Sequence, residues 1–141
     1  MCLTYRIALN EVMLEILCGK SSHLYNKLNY KGLISSELTA DYLCGNDYGL
    51  RIIGGESNNI EEILSEISQE VERYVTFGIC DENLFGNESL ENICSAFADC
   101  FTKGIEVLDI YAKYDIIKSN DIREELKTFS RNNRVLSVVG G

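Results

Sequence analysis

A single histidine, His23, stands in a chain of 141 residues, and its isolation excludes the usual zinc chemistry. A zinc site takes about three or four protein ligands, drawn mainly from imidazoles and thiolates. The six cysteines do not fill the gap, because they fall at 2, 18, 44, 80, 94 and 100 with no Cys-x-x-Cys pair and no zinc-finger spacing. They read as free thiols acting as small hydrophobes, not as a disulfide framework. The apolar settings of Cys18 and Cys94 likewise speak for inert packing over a Cys-His nucleophile. No apolar run approaches the length of a membrane span, and Met1-Cys2-Leu3 does not open a signal peptide. A cytoplasmic or organelle-matrix protein without membrane contact is expected. Basic residues are scarce where acidic ones are dense. Between Glu37 and Asp99 fourteen acidic residues face only Arg51 and Arg73, within a net charge of −9. That surface repels a phosphate backbone, so no nucleic-acid partner is expected. It reads first as a solvated face, and second as a surface that attracts basic peptides. Gly54-Gly55 lacks the lysine or longer glycine run of a phosphate loop. Proline is absent too, and nothing about the fold follows from that alone.

What is present describes one domain with a real core, at 45% hydrophobic and 25% charged residues. Leu3 to Cys18 carries a broad apolar stripe at helical spacing, with Gly19 as its stop. Ser21-Ser22 can cap a short helix whose Leu24, Tyr25 and Leu28 face inward. Ile34 to Cys44 then alternates, with Ile34, Leu38, Ala40, Tyr42 and Cys44 on one face, as a half-buried strand does. Gly45-Asn46-Asp47 supplies positive φ cheaply for a hairpin turn. In the second strand, Tyr48 to Ile53, Tyr48, Leu50 and Ile52 alternate with Gly49 and Arg51. Asn59 and Glu62 resemble a capping box opening a helix through Val75, whose Glu61, Glu62, Glu66, Glu70 and Glu72 read as a solvent face. A weak cation site at Glu61, Glu62 and Glu66 is the lesser reading. Helices are expected over Leu90–Phe101 and Ile105–Ile116, and again after a Ser119 or Asn120 cap with Ile122, Leu126 and Phe129 inward. Val135–Val139 reads as a strand buried within the sheet.

The order Gly19-Lys20-Ser21-Ser22-His23-Leu24-Tyr25, then Lys31-Gly32-Leu33, then a hairpin ending on Gly54-Gly55, resembles the second half of zinc peptidases of the pitrilysin, insulinase and mitochondrial-processing-peptidase family. The order of helix, short helix, two strands, a run of helices and a closing strand gives an α+β fold, a two-layer sandwich with helices on one face of a mixed, mostly antiparallel sheet. The resemblance implies that residues 1–141 are a single, truncated peptidase-family domain, cut near its first long helix. The family's longest helix is short here, through a trimmed helix or a stretch of chain missing between Asp81 and Glu88.

Functionally, the resemblance implies a noncatalytic supporting half of a zinc-dependent metallopeptidase, enclosing a peptide substrate opposite a zinc-bearing half. That half would be joined in cis or as a partner subunit. Zinc is expected there and no cofactor in this chain, which lacks the His-x-x-Glu-His motif. His23 reads as a surface or capping residue. Many members place an Arg in the short helix and a Tyr just after Gly-Leu, both reaching toward bound peptide. By position these fall on Asn29 and near Ser35, which lack the charge and the ring. Tyr42 and Tyr48, flanking the turn, are the other substrate-contact candidates, with packing as their simpler use. The alternative function is a catalytically dead scaffold that binds a partner protein. An open sheet edge makes a homo-oligomer a further expectation.

Overall fold

The computed structural model describes residues 3–78, 112–113, 116–129 and 134–140. Within them the chain runs α1 (Leu3–Cys18), α2 (His23–Tyr30), β1 (Thr39–Cys44), β2 (Gly49–Gly54), α3 (Ile60–Phe77) and α4 (Ser119–Leu126). This is an α+β arrangement, with a two-stranded antiparallel sheet against the helices. Helix α1 is the centre. Ala8, Met13 and Leu17 on successive turns are sealed from solvent, and Ile7, Leu9, Leu14, Ile16 and Cys18 are buried beside them. A helix apolar on so many sides can be stable only when other elements cover it. Helix α2, the hairpin and α4 do so.

The ends of the short helix α2 explain why its flanking residues are what they are. Ser22, extended at φ −69° and ψ 150°, accepts the Tyr25 N–H on its hydroxyl at 3.1 Å. At the other end Gly32 adopts φ +67°. The Gly32 N–H reaches the Asn29 carbonyl at 3.0 Å and the Leu33 N–H reaches the Leu28 carbonyl at 3.0 Å. That paired pattern is a Schellman closure, and Gly-Leu serves it chemically: glycine for the left-handed backbone, leucine to pack back on Leu28. Gly32→Ala is expected to cost about 1–2 kcal/mol from backbone strain alone, since no atom obstructs a Cβ there. Thermal melts check it; an unchanged midpoint would mean that the left-handed closure is not required.

The hairpin forms in register Tyr42↔Arg51 and Cys44↔Gly49, but it departs from the sequence expectation in three ways. First, the ladder begins at Thr39, not Ile34. Beyond Gly54 the partner strand ends, and one bond from the Ser35 N–H to the Glu56 carbonyl, at 3.1 Å, is all that continues the pairing. Second, no turn residue takes positive φ. The Gly45 N–H donates to the Tyr48 carbonyl at 3.0 Å, and a Cβ at 45 would meet the Tyr48 ring and displace it. Third, β2 turns its polar residue inward. Leu50 and Ile52 are 53% and 41% exposed, while Arg51 shares the inner face with buried Tyr42.

Two further expectations are corrected. Val135–Val139 is not a buried strand: it has no regular structure, and Val135 is 97% exposed. A run of β-branched residues supplies propensity, but a strand needs an edge to pair with, and among the described residues β1 and β2 pair only with each other. Helix α4 starts with Lys118 at its cap, because the Asp121 carboxylate accepts the Lys118 backbone N–H at 2.9 Å. Ile122 and Leu126 are fully buried as expected. The Leu90–Phe101 helix falls outside the described residues, as does Ile105–Ile116 apart from a helical piece at 112–113 and Ile116.

Candidate functional site

Helices α2 and α3 meet along a charged seam that the sequence disguises as a solvent face. Glu66 and Glu70, one turn apart on α3, are only 5% and 3% exposed. Each is tucked under α2 and supplied with cations. Lys31 places its ammonium 2.6 Å from Glu66 Oε1, and Lys27 comes within 2.6 Å of Oε2. Those approaches hold the Glu66 carboxyl below the usual carboxylate range and push Lys31 up. Glu70 takes Arg73 from its own helix and the Nδ1 of His23, at 3.1 Å, from the start of α2. Burial pushes the Glu70 carboxyl up, but Arg73 and His23 outweigh it and the net shift is downward. His23 is therefore a hydrogen-bond partner of Glu70, and Ser22 does the capping. Glu66 is committed to two lysines, which removes the cation site imagined at Glu61, Glu62 and Glu66.

The sign of the pH response follows. Both carboxyls are easier to ionise folded than unfolded, so the stability they contribute is complete above the ordinary carboxylate range. It is lost as pH falls through that range and below. The melting midpoint is expected to hold down to about pH 5 and to drop below it. The Glu66→Gln, Glu70→Gln double variant should start lower and decline less steeply; an equally steep decline would place the acid sensitivity elsewhere.

A second polar cluster joins the hairpin to the helices. Arg51 reaches inward from β2, and its Nε donates to Asn10 Oδ1 at 2.6 Å. One terminal nitrogen donates to Thr128 Oγ1 at 2.9 Å, and the other pairs with Glu125. The guanidinium also lies 4.9 Å from the centre of the Phe129 ring. Asn10 is completely buried, with its amide nitrogen on the Arg6 carbonyl at 2.9 Å. Arg6 in turn donates to the Gly45 carbonyl at 2.6 Å and holds the hairpin turn onto α1.

The substrate-contact candidates do not converge with either cluster. Asn29 is exposed on α2. Ser35 is exposed beyond the ladder, its backbone N–H on Glu56. Tyr48 lies exposed over Gly45 at the turn. Tyr42 is buried, its ring across Gly49. Among the described residues no three histidine, cysteine, aspartate or glutamate side chains are grouped to hold a metal ion. Cys18 and Cys44 are free and buried, and burial pushes the Cys18 thiol up to about 12, far from a nucleophile at neutral pH. No helix among the described residues is long and apolar enough to cross a membrane.

No family model matches the chain, and no curated protein is detectably similar in sequence. Solved structures are similar in fold. A protein assigned as an M16-like peptidase, from Alicyclobacillus acidocaldarius, superposes on 91% of this chain at TM-score 0.55 and 18% identity. A protease from Helicobacter pylori does so on 89% at TM-score 0.63 and 22% identity. A protein assigned as a zinc protease, from Bordetella pertussis Tohama I, does so on 93% at TM-score 0.65 and 16% identity. This chain spans 31% and 34% of the first two and 83% of the third. At these identities the likeness is one of fold, and it covers about nine-tenths of the chain. The chain has the fold of a segment of the M16-like, pitrilysin-type peptidases.

Proposed function

We propose that this chain is the noncatalytic supporting half of a zinc-dependent metallopeptidase, helping to enclose a flexible peptide opposite a half that carries the metal. The observation that carries the reading is a pairing: a peptidase fold over about nine-tenths of the chain, and a sequence with one histidine. A hydrolytic zinc needs three protein ligands and a carboxylate base, so the metal and its water would belong to the other half. That half would join in cis or as a partner subunit, docking where the hairpin leaves Leu43, Leu50 and Ile52 exposed. The acidic middle of the chain would draw in basic peptides.

One observation favours the second reading, a catalytically dead scaffold that binds a partner protein. Asn29 and Ser35 stand where the resemblance places an arginine and a tyrosine that reach toward peptide. An amide and a hydroxyl cannot supply a charge or a stacking face to a substrate. Sequencing the coding DNA on either side of this chain separates the two. An intact His-x-x-Glu-His motif in the same or a neighbouring reading frame is expected; a degenerate motif there would favour the scaffold.

A further inference from the structure

Between α3 and α4 lies a groove of about 350 Å³ that shares only Phe129 with the Arg51 cluster. Its floor is apolar, built from Ile67, Val71 and Val75 of α3 with Leu126 and Phe129 at the end of α4. Its polar lining is Ser68, Glu72, Lys127 and Arg134. Lys127 is engaged by Glu124 at 2.6 Å. Arg134 is different. Both terminal nitrogens of its guanidinium rest 3.3 Å from the Ser68 hydroxyl, and no carboxylate pairs with it among the described residues. An arginine is always charged and presents a fork that matches a carboxylate. A guanidinium that meets only a hydroxyl among the described residues, at the mouth of an apolar groove, is complementary to a carboxylate attached to an apolar group.

We infer that this groove captures the C-terminal residue of a peptide, with its carboxylate on Arg134 and its large apolar side chain on the α3–α4 floor. The volume is at the lower end of small-ligand pockets, roughly 300–1,000 Å³, and suits one side chain better than a helix. Glu72, one turn along α3 from Ser68, would repel a second anion, so a single terminal carboxylate fits best. The chain's net charge of −9 also opposes anions at a distance, which leaves contact at Arg134 to supply the attraction. The choice of a peptide over a fatty acid rests on the proposed peptidase role.

The test is an NMR titration of the full chain with acetyl-Ala-Ala-Phe bearing a free carboxylate, and with its C-terminal amide. The free acid should bind, and the amide about tenfold more weakly, the loss expected for a charge-assisted hydrogen-bond pair. Arg134 is exposed on an irregular segment, so Arg134→Gln should fold normally and bind acid and amide alike. Equal binding of both by the parent, binding of neither, or an unaltered preference in Arg134→Gln would overturn the inference. Decanoate displacing the peptide at lower concentration would also overturn it and make the groove a fatty-acid site. Peptidase reconstitution is independent of these outcomes. Hydrolysis restored without groove binding removes the groove alone, and groove binding without restored hydrolysis removes the supporting-half reading alone.

Discussion

Arg51→Met is expected to lower stability by about 3–5 kcal/mol, the cost of breaking a largely buried ion pair from one side. In a chain of this size that moves the melting midpoint down by roughly 10–20 °C. The magnitude rests on what is left behind. Glu125, with 18% of its side chain exposed, would keep its charge and lose its partner. Asn10, with no exposure at all, would lose the donor on its side-chain oxygen. The loss also uncouples β2 from α1 and α4 together. Methionine keeps much of the volume, so the effect is electrostatic and not a cavity. Adding Glu125→Gln should recover part of the loss, because the stranded charge is removed. If Arg51→Met melts within a degree or two of the parent, the cluster does not hold the hairpin in place.

The same residue shows where the sequence stops being informative. Helices α1, α2 and α3 are legible because their apolar stripes are clear and their caps local: the Gly19 stop, Ser22 and Asn59 each act within a few residues. The hairpin is legible from its alternation and its glycine-bearing turn. The facing of β2 is not. Leu50 and Ile52 look like the inner pair, and the partners that pull Arg51 inward lie far off at Asn10 and Glu125. One signal was available, since Arg51 is a lone base in an acidic stretch and flanked by apolar residues. Glu66 and Glu70 read as solvent-facing for the same reason, because Lys27, Lys31 and His23 come from another helix and only Arg73 shares α3 with them. Val135–Val139 shows the converse. Its composition favours a strand, yet composition cannot provide the neighbouring edge. Of the site candidates, Asn29 and Ser35 came from a family resemblance and not from chemistry of their own. The fold confirms neither as a site, placing both in exposed positions.

The second large effect is on activity. Alone, with zinc added, the chain is expected to cleave no peptide. With a zinc-bearing half it should restore hydrolysis from essentially none, because enclosing and orienting a flexible substrate is worth several orders of magnitude in rate. Basic peptides should be preferred, given fourteen acidic residues and two basic ones between Glu37 and Asp99. That preference should fade as salt rises, since exposed charges are screened beyond roughly 10 Å at 0.1 M. A preference unmoved by salt would mean that the acidic surface does not recruit substrate.

The most direct measurement takes the zinc-bearing half that the proposal requires and follows cleavage of a quenched fluorescent basic peptide while this chain is titrated in. Hydrolysis should be negligible for either part alone, should rise to a plateau near equal amounts, and should vanish on chelating the zinc. Zinc-dependent cleavage by this chain alone, or no gain on combining the two, would contradict its assignment as a supporting half.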